Sequence, residues 1–280
     1  MRRLIRVLVV TLAIAGLLMP AGVAEAKVKK TTKRRSSRSA RKAPQPMTPG
    51  PLVIGFTVAT PAIALTFDDG AANTAAIVSI LRAQDAKGTF FVCGARMGEA
   101  SEVASAVANG FEIGNHTFDH VSLYGQSYAF DAAQIAATSN AIQAASGVRP
   151  AWIRSRSGQI DAIGMQAVRD AGQSYINWDV HSLDTDWSLT SAQIEARVVG
   201  SAHPGAVVLM HATRPETLAA LPGIVGQLKA RGYRLVTVSQ LAGMGSPRFS
   251  SETKAKAPKK VTSKKKPAKV RRSGGRRRSR

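Results

Sequence analysis

The chain has a single cysteine, Cys93, among 280 residues. No internal disulfide can form, and a cysteine-rich zinc module or disulfide scaffold is excluded, so the core stands on packing alone. Cys93 follows Phe90-Phe91-Val92 and reads as a buried small hydrophobe rather than a nucleophile. Long apolar runs are also missing. The N-terminal stretch Val7 to Leu18 is short for a membrane span. With Arg2, Arg3 and Arg6 before it and Ala24-Glu25-Ala26 after it, it reads instead as a secretory signal over residues 1–26. No cysteine follows the cleavage site, which argues against a lipid-anchored product.

Acidic residues are absent where basic ones crowd. Residues 27–50 hold nine Lys/Arg and no acid, and residues 245–280 hold fifteen Lys/Arg against Glu252 alone. Between them, residues 51–244 carry twelve Lys/Arg and fifteen Asp/Glu. The net charge of +22 therefore belongs to the tails. Those tails, rich in Lys, Arg, Ser, Pro and Gly, lack the apolar surface needed to offset ordering entropy and are expected to be disordered. Aromatics make up 5% of the chain and do not interleave with the basic residues, so a base-stacking nucleic-acid surface is not expected. An exported chain also rarely meets DNA. The tails fit an anionic envelope surface better. The expected organisation is a signal peptide over 1–26, a basic linker over 27–50, one folded domain over 51–244 and a basic tail over 245–280.

Within 51–244, short apolar runs alternate with stretches of helical spacing. Strands are expected at 63–67, 88–92, 111–114, from Trp152, and at 175–180, 206–210 and 234–238. Helices are expected at 74–84, 99–109, 131–145, 162–171, 191–199 and 217–230. Repeated β–α units imply a parallel sheet flanked by helices. Alternation alone does not separate an open sheet from a barrel.

The run Thr66-Phe67-Asp68-Asp69-Gly70 closes the apolar stretch Ala62-Ile63-Ala64-Leu65. Two adjacent carboxylates at a strand end resist ionising together unless a cation lies beside them. Strand ends are also where α/β folds build active sites. Downstream, in Asn115-His116-Thr117-Phe118-Asp119-His120, the two histidines are four apart, so one helical turn would bring both imidazoles to one face. One Asp and two His suit a catalytic divalent metal with an open coordination position.

On these residues the chain resembles the polysaccharide deacetylases of the NodB-homology group, carbohydrate esterase family four, over about residues 52–242. Thr66 to Gly70 match the family's T-F-D-D-G, and His116 to His120 match its H-[ST]-x-x-H. The resemblance implies an α/β fold: a distorted, incomplete (β/α) barrel of about seven parallel strands with its site at their C-terminal ends. It implies a metal held by Asp69, His116 and His120, and a general base at Asp68. Zinc is the expected ion, with cobalt, nickel or manganese able to replace it. The third motif, R-x-P-[YF]-G in the family, is Arg154-Ser155-Arg156-Ser157-Gly158 here. An arginine, Arg154 or Arg156, would orient the base, and the Ser157 backbone N–H would help hold the oxyanion. Asp186-Trp187 match the end of the fourth motif, placing Trp187 at the substrate. Val207 to His211 match the fifth, with Leu209 on the acetyl methyl and His211 as general acid. The family often has Asp after this histidine; here it is Ala212.

The implied activity is metal-dependent removal of acetyl groups from N-acetylated sugars of a cell-envelope or extracellular polysaccharide, by an exported monomer. O-Deacetylation would use the same residues. A glycan-binding protein that keeps the fold without catalysis is the alternative of another class.

Overall fold

The structure is a computed structural model and describes residues 50–70, 73–98 and 100–250. The expected signal segment, the basic linker up to residue 49 and the tail beyond residue 250 lie outside the described residues. In chain order the strands are β1 (Val53–Val58), β2 (Ala62–Asp69), β3 (Thr89–Val92), β4 (Glu112–Asn115), β5 (Trp152–Ile153), β6 (Ser174–Tyr175), β7 (Val180–His181), β8 (Val207–His211), β9 (Arg234–Val236) and β10 (Gly245–Phe249). The helices are α1 (Thr74–Ala83), α2 (Ala100–Ala108), α3 (Tyr128–Ser146), α4 (Ala162–Asp170), α5 (Ser191–Ser201), α6 (Pro215–Ala230) and α7 (Val238–Ala242).

Strands β2 to β9 form one sheet in which every pairing is parallel. Its order is β6-β5-β4-β3-β2-β8-β7, with β9 paired to the start of β2. This is the curled, incomplete barrel that the resemblance implies. Strand β2 runs through its middle and is buried along nearly its whole length, as a strand covered on both faces must be. One face of the sheet meets the helices through Ile63, Leu65, Phe67, Phe90, Val208 and Met210. The concave face packs Ala62, Ala64, Phe91, Ile176, Val207 and Val236 around Phe56 of β1. Alternation therefore sends Thr66 and Asp68 of β2, and Leu209 and His211 of β8, to the concave face; these residues are also direct register partners.

Three expectations need correction. The single strand expected over 175–180 is two short strands at opposite edges of the sheet. Residues 176–179 cross the open seam between them. There Asn177 donates its backbone N–H to Val53 O at 2.8 Å, so β1 covers the gap. Periodicity cannot reveal this, because a crossing segment is as buried as a strand. The helical turn expected for the histidine pair is a loop in which Thr117 and His120 take left-handed backbone angles (φ 64 and 57). Finally, folded structure extends past residue 244. Gly245–Phe249 pairs antiparallel with β1, although Gly-Ser-Pro-Arg-Phe shows no strand alternation. Its Arg248 reaches back into the fold, donating to Asp179 and to Phe56 O.

Candidate active site

The chemistry-bearing residues come together at the C-terminal ends of β2, β4, β5 and β8, the rim where parallel α/β sheets place their sites. Asp68 is buried, and its Oδ1 accepts a 2.7 Å hydrogen bond from Arg154. Arg154 is itself wholly buried. It also donates to Thr66 Oγ1, to Ile176 O and to Asn177 O, and its guanidinium lies 4.2 Å from the centre of the Phe91 ring. A buried guanidinium with this many partners is fixed in position and stabilises a neighbouring carboxylate charge. Arg156 is exposed, so Arg154 is the arginine that faces Asp68.

Asp69 ends β2 in a left-handed conformation (φ 77), with Gly70 left-handed after it (φ 79). Such backbone strain in a non-glycine residue is tolerated where the surroundings impose it. The turn aims Asp69 Oδ1 between two imidazoles, 3.2 Å from His120 Nε2 and 3.6 Å from His116 Nε2. That oxygen is buried and, among the described residues, has no hydrogen-bond partner, a costly arrangement unless a cation balances it. His116 Nδ1 lies 2.7 Å from Arg154 O. A carbonyl can only accept, so Nδ1 carries the proton and Nε2 presents its lone pair to the site. Donor type, spacing and tautomer all fit a divalent metal held by Asp69, His116 and His120. A fourth donor atom, Cys93 Sγ, falls in the same group, all of whose atoms lie within 4.8 Å of one another.

The loop bearing the histidines is built by local hydrogen bonds. Asn115 Oδ1 accepts from Thr117 N at 2.8 Å, while its amide donates to Ile135 O and to Ser139 Oγ on α3. Gln134, also on α3, brackets Asp119 through its backbone N–H and its carboxylate. Gly94 lets the loop sit close, since a Cβ there would lie 2.4 Å from the Phe118 ring. Burial, followed by the adjacent His116 imidazole, lowers the pKa of His120, which favours the neutral form.

His211 closes the site on the opposite side of β2. Its Nδ1 lies 2.8 Å from Asp184 Oδ1, its backbone N–H donates to Asp184 Oδ2 at 2.7 Å, and Thr217 Oγ1 donates to the same oxygen. Burial pulls the His211 pKa down, but the Asp184 hydrogen bond and the charges of Asp68, Asp184 and Asp69 outweigh it and leave it raised. Burial likewise pushes Asp184 up, but the hydrogen bonds from His211 and Thr217 and the His211 charge hold its carboxyl below the usual range. Asp184 holds His211 in the candidate site, and sequence spacing did not single it out. Three acids lie between residues 179 and 186, and spacing alone does not choose among them.

The expected substrate-side residues sit as follows. Leu209 is buried beside Thr66 on the concave face. Ser157 is exposed, in a left-handed turn (φ 57) within the one-turn 3-10 segment Arg156–Gly158. Trp187 is 78% exposed and stacks on Arg214, whose guanidinium carbon is 3.7 Å from the ring centre. Asp186 only caps its own turn, through Ser188. His181 is not part of the ligand group; its Nδ1 accepts from Leu183 N at 2.9 Å.

Comparison with known proteins gives a consistent picture. The profile of a family described as polysaccharide deacetylase matches residues 57–176. A peptidoglycan-N-acetylglucosamine deacetylase of Bacillus cereus is 33% identical over 192 residues, covering 64% of this chain and 87% of that protein. The Listeria monocytogenes peptidoglycan-N-acetylglucosamine deacetylase PgdA is 34% identical over 186 residues, but the chain spans only 39% of its length. Among solved structures, a CE4 family pseudoenzyme from Bacillus anthracis superposes with a TM-score of 0.63 at 26% identity, covering 67% of each chain.

Proposed function

Since this chain belongs to the polysaccharide deacetylase family, carbohydrate esterase family four, we propose that it is a metal-dependent hydrolase. It removes acetyl groups from the N-acetylated sugars of a cell-envelope polysaccharide, peptidoglycan first among them. The observation that carries this reading is the division between two adjacent carboxylates. Asp68 is locked to a buried arginine, while Asp69 holds an unpartnered oxygen between two imidazoles. A divalent ion held by Asp69, His116 and His120 would supply Lewis-acid polarisation of the acetyl carbonyl and would acidify water.

The protein's own groups have separate tasks. Arg154 occupies Asp68 Oδ1, which leaves Oδ2 to accept a proton from the attacking water. The Ser157 backbone N–H is assigned to the developing oxyanion. His211, held through Nδ1 by Asp184, has Nε2 free to give a proton to the leaving amine. The open amide bond then yields acetate and a free amino sugar. Leu209 lines the acetyl methyl, and Trp187 offers an exposed ring at the mouth for a sugar face.

A pseudoenzyme among the structural neighbours keeps a second reading open, that of a glycan-binding protein without turnover. The intact Asp68, Asp69, His116, His120, Arg154 and His211 favour catalysis. The test is to incubate purified protein with acetylated glycans, peptidoglycan, chitin oligomers and acetylated xylan among them, with and without chelator. Loss of acetyl mass is followed by mass spectrometry. Loss of N-acetyl from peptidoglycan that stops with chelator is expected. No loss on any substrate overturns the enzyme reading, loss only from xylan points to the O-acetyl esterase, and chelator-resistant loss removes the metal.

In this reading the protein acts outside the cytoplasm. Residues 1–26 serve as the export signal, and the basic tails hold the enzyme on an anionic envelope surface. No helix among the described residues is long and apolar enough to cross a membrane.

A further inference from the structure

We infer that Cys93 is a fourth protein ligand at the metal site, so that the site selects thiophilic divalent ions such as zinc over oxygen-seeking ones such as manganese. The inference rests on the metal-binding reading above and adds a residue to it. Cys93 follows directly on β3, which lies between β2 and β4, so its Sγ faces the gap between Asp69 and His116. The thiol is wholly buried, and Sγ is within 4.8 Å of the donor atoms of Asp69, His116 and His120. A tetrahedral ion with metal–sulfur and metal–nitrogen bonds of about 2.3 and 2.0 Å needs its ligand atoms roughly 3.3–3.8 Å apart. The two Asp69–histidine distances, 3.2 and 3.6 Å, already match, and Sγ, within 4.8 Å of all three donor atoms, completes the set on drawing in.

Among the described residues the thiol makes one long hydrogen bond, 3.8 Å to His116 O, which is little to lose on ligation. As the metal–sulfur bond forms, the S–H proton passes to solvent. Soft thiolate favours zinc, and carboxylate with imidazole alone does not discriminate as sharply. With four protein ligands the ion would keep its catalytic role by expanding to five-coordination, as catalytic zinc sites can.

Cobalt substitution tests this directly, because thiolate ligation gives a near-ultraviolet sulfur-to-cobalt charge-transfer band that oxygen and nitrogen ligands lack. The full folded protein is stripped with chelator, loaded with Co²⁺ and scanned. Cys93→Ser and the apolar, packing-conserving Cys93→Val are treated alike, each with a thermal melt to confirm folding. The wild type should show the band together with visible ligand-field bands. Both variants should lose the band and keep cobalt, and their preference for Zn²⁺ over Mn²⁺ should fall at least about tenfold, the lower end of what a disturbed ligand shell costs. Ligand-field bands without a charge-transfer band in the wild type overturn the role of Cys93 and leave the three-ligand site standing. No cobalt uptake overturns the metal-binding reading as well. The wild-type spectrum decides between these even where a variant does not fold.

Discussion

At the scale of single residues, two neighbouring carboxylates are separated by their partners, and each separation makes a prediction. Asp68→Asn keeps the shape and the ligand group but cannot accept a proton. Metal content, read by elemental analysis, should be unchanged, while turnover should drop by about 10²–10⁴-fold, the usual worth of a general base. A variant within tenfold of wild type would take Asp68 out of that role. In the proposed mechanism His211 acts in its protonated form, and although burial lowers its pKa, the Asp184 hydrogen bond and the nearby carboxylate charges leave it raised. In Asp184→Asn that support is lost, the folded-state pKa of His211 falls, and the alkaline limb of the pH–rate profile should move to lower pH. An unmoved limb would show that His211 does not supply the proton. These residues were legible from sequence to different degrees. Asp68, Asp69, His116, His120 and His211 stand at strand ends in recognisable order. The choice of Arg154 over Arg156 depends on burial, and that of Asp184 over Asp186 on a hydrogen bond across the chain, neither of which spacing encodes.

At the scale of elements, the sequence marked most of the sheet and helices, because central strands such as β2, β3 and β8 are apolar runs and helices such as α1 and α4 carry an apolar stripe. It failed where structure is made by a partner. The strand Gly245–Phe249 exists because β1 offers it an edge, and the histidine loop exists because Asn115 and Gln134 tie it to α3. Helix α3 also holds an unexplained group. Asp131 is wholly buried in its first turn, and neither carboxylate oxygen has a hydrogen-bond partner among the described residues. Burial, aided by the charge of Asp161, pushes its pKa up from 3.8 to about 6. A carboxyl raised in the folded state costs nothing below its unfolded pKa. The cost grows as pH climbs from about 4 to about 6 and stays constant above that. Asp131→Asn, which cannot ionise, should therefore stabilise the fold at pH 7 by up to about 3 kcal/mol, the worth of a pKa raised by roughly two units, and change little at pH 4. Melting curves at the two pH values check this. Equal effects at both would mean that the folded-state pKa of Asp131 is not raised.

At the scale of the whole molecule, charge and chemistry are segregated. Residues 51–250 hold thirteen Lys/Arg and fifteen Asp/Glu, whereas residues 251–280 hold fourteen Lys/Arg and Glu252. The boundary matters, because Arg248 belongs to the fold through its contacts with Asp179 and Phe56 O, and a cut before it would damage β10. Deleting residues 251–280 leaves that strand and every site residue in place, so turnover on a small soluble acetylated sugar should stay within about twofold of wild type, as expected for a change remote from the chemistry. Binding to anionic vesicles or isolated envelope should fall sharply. The slightly acidic folded part cannot supply that attraction, and each basic residue near such a surface contributes roughly 1 kcal/mol at low salt. Full-length protein should itself be released as salt shortens the Debye length below about 10 Å. Co-sedimentation of the two proteins at low and high salt reads both effects. Equal sedimentation at low salt would leave the C-terminal tail with no anchoring role, and salt-resistant binding by the full chain would move recognition from charge to the glycan itself.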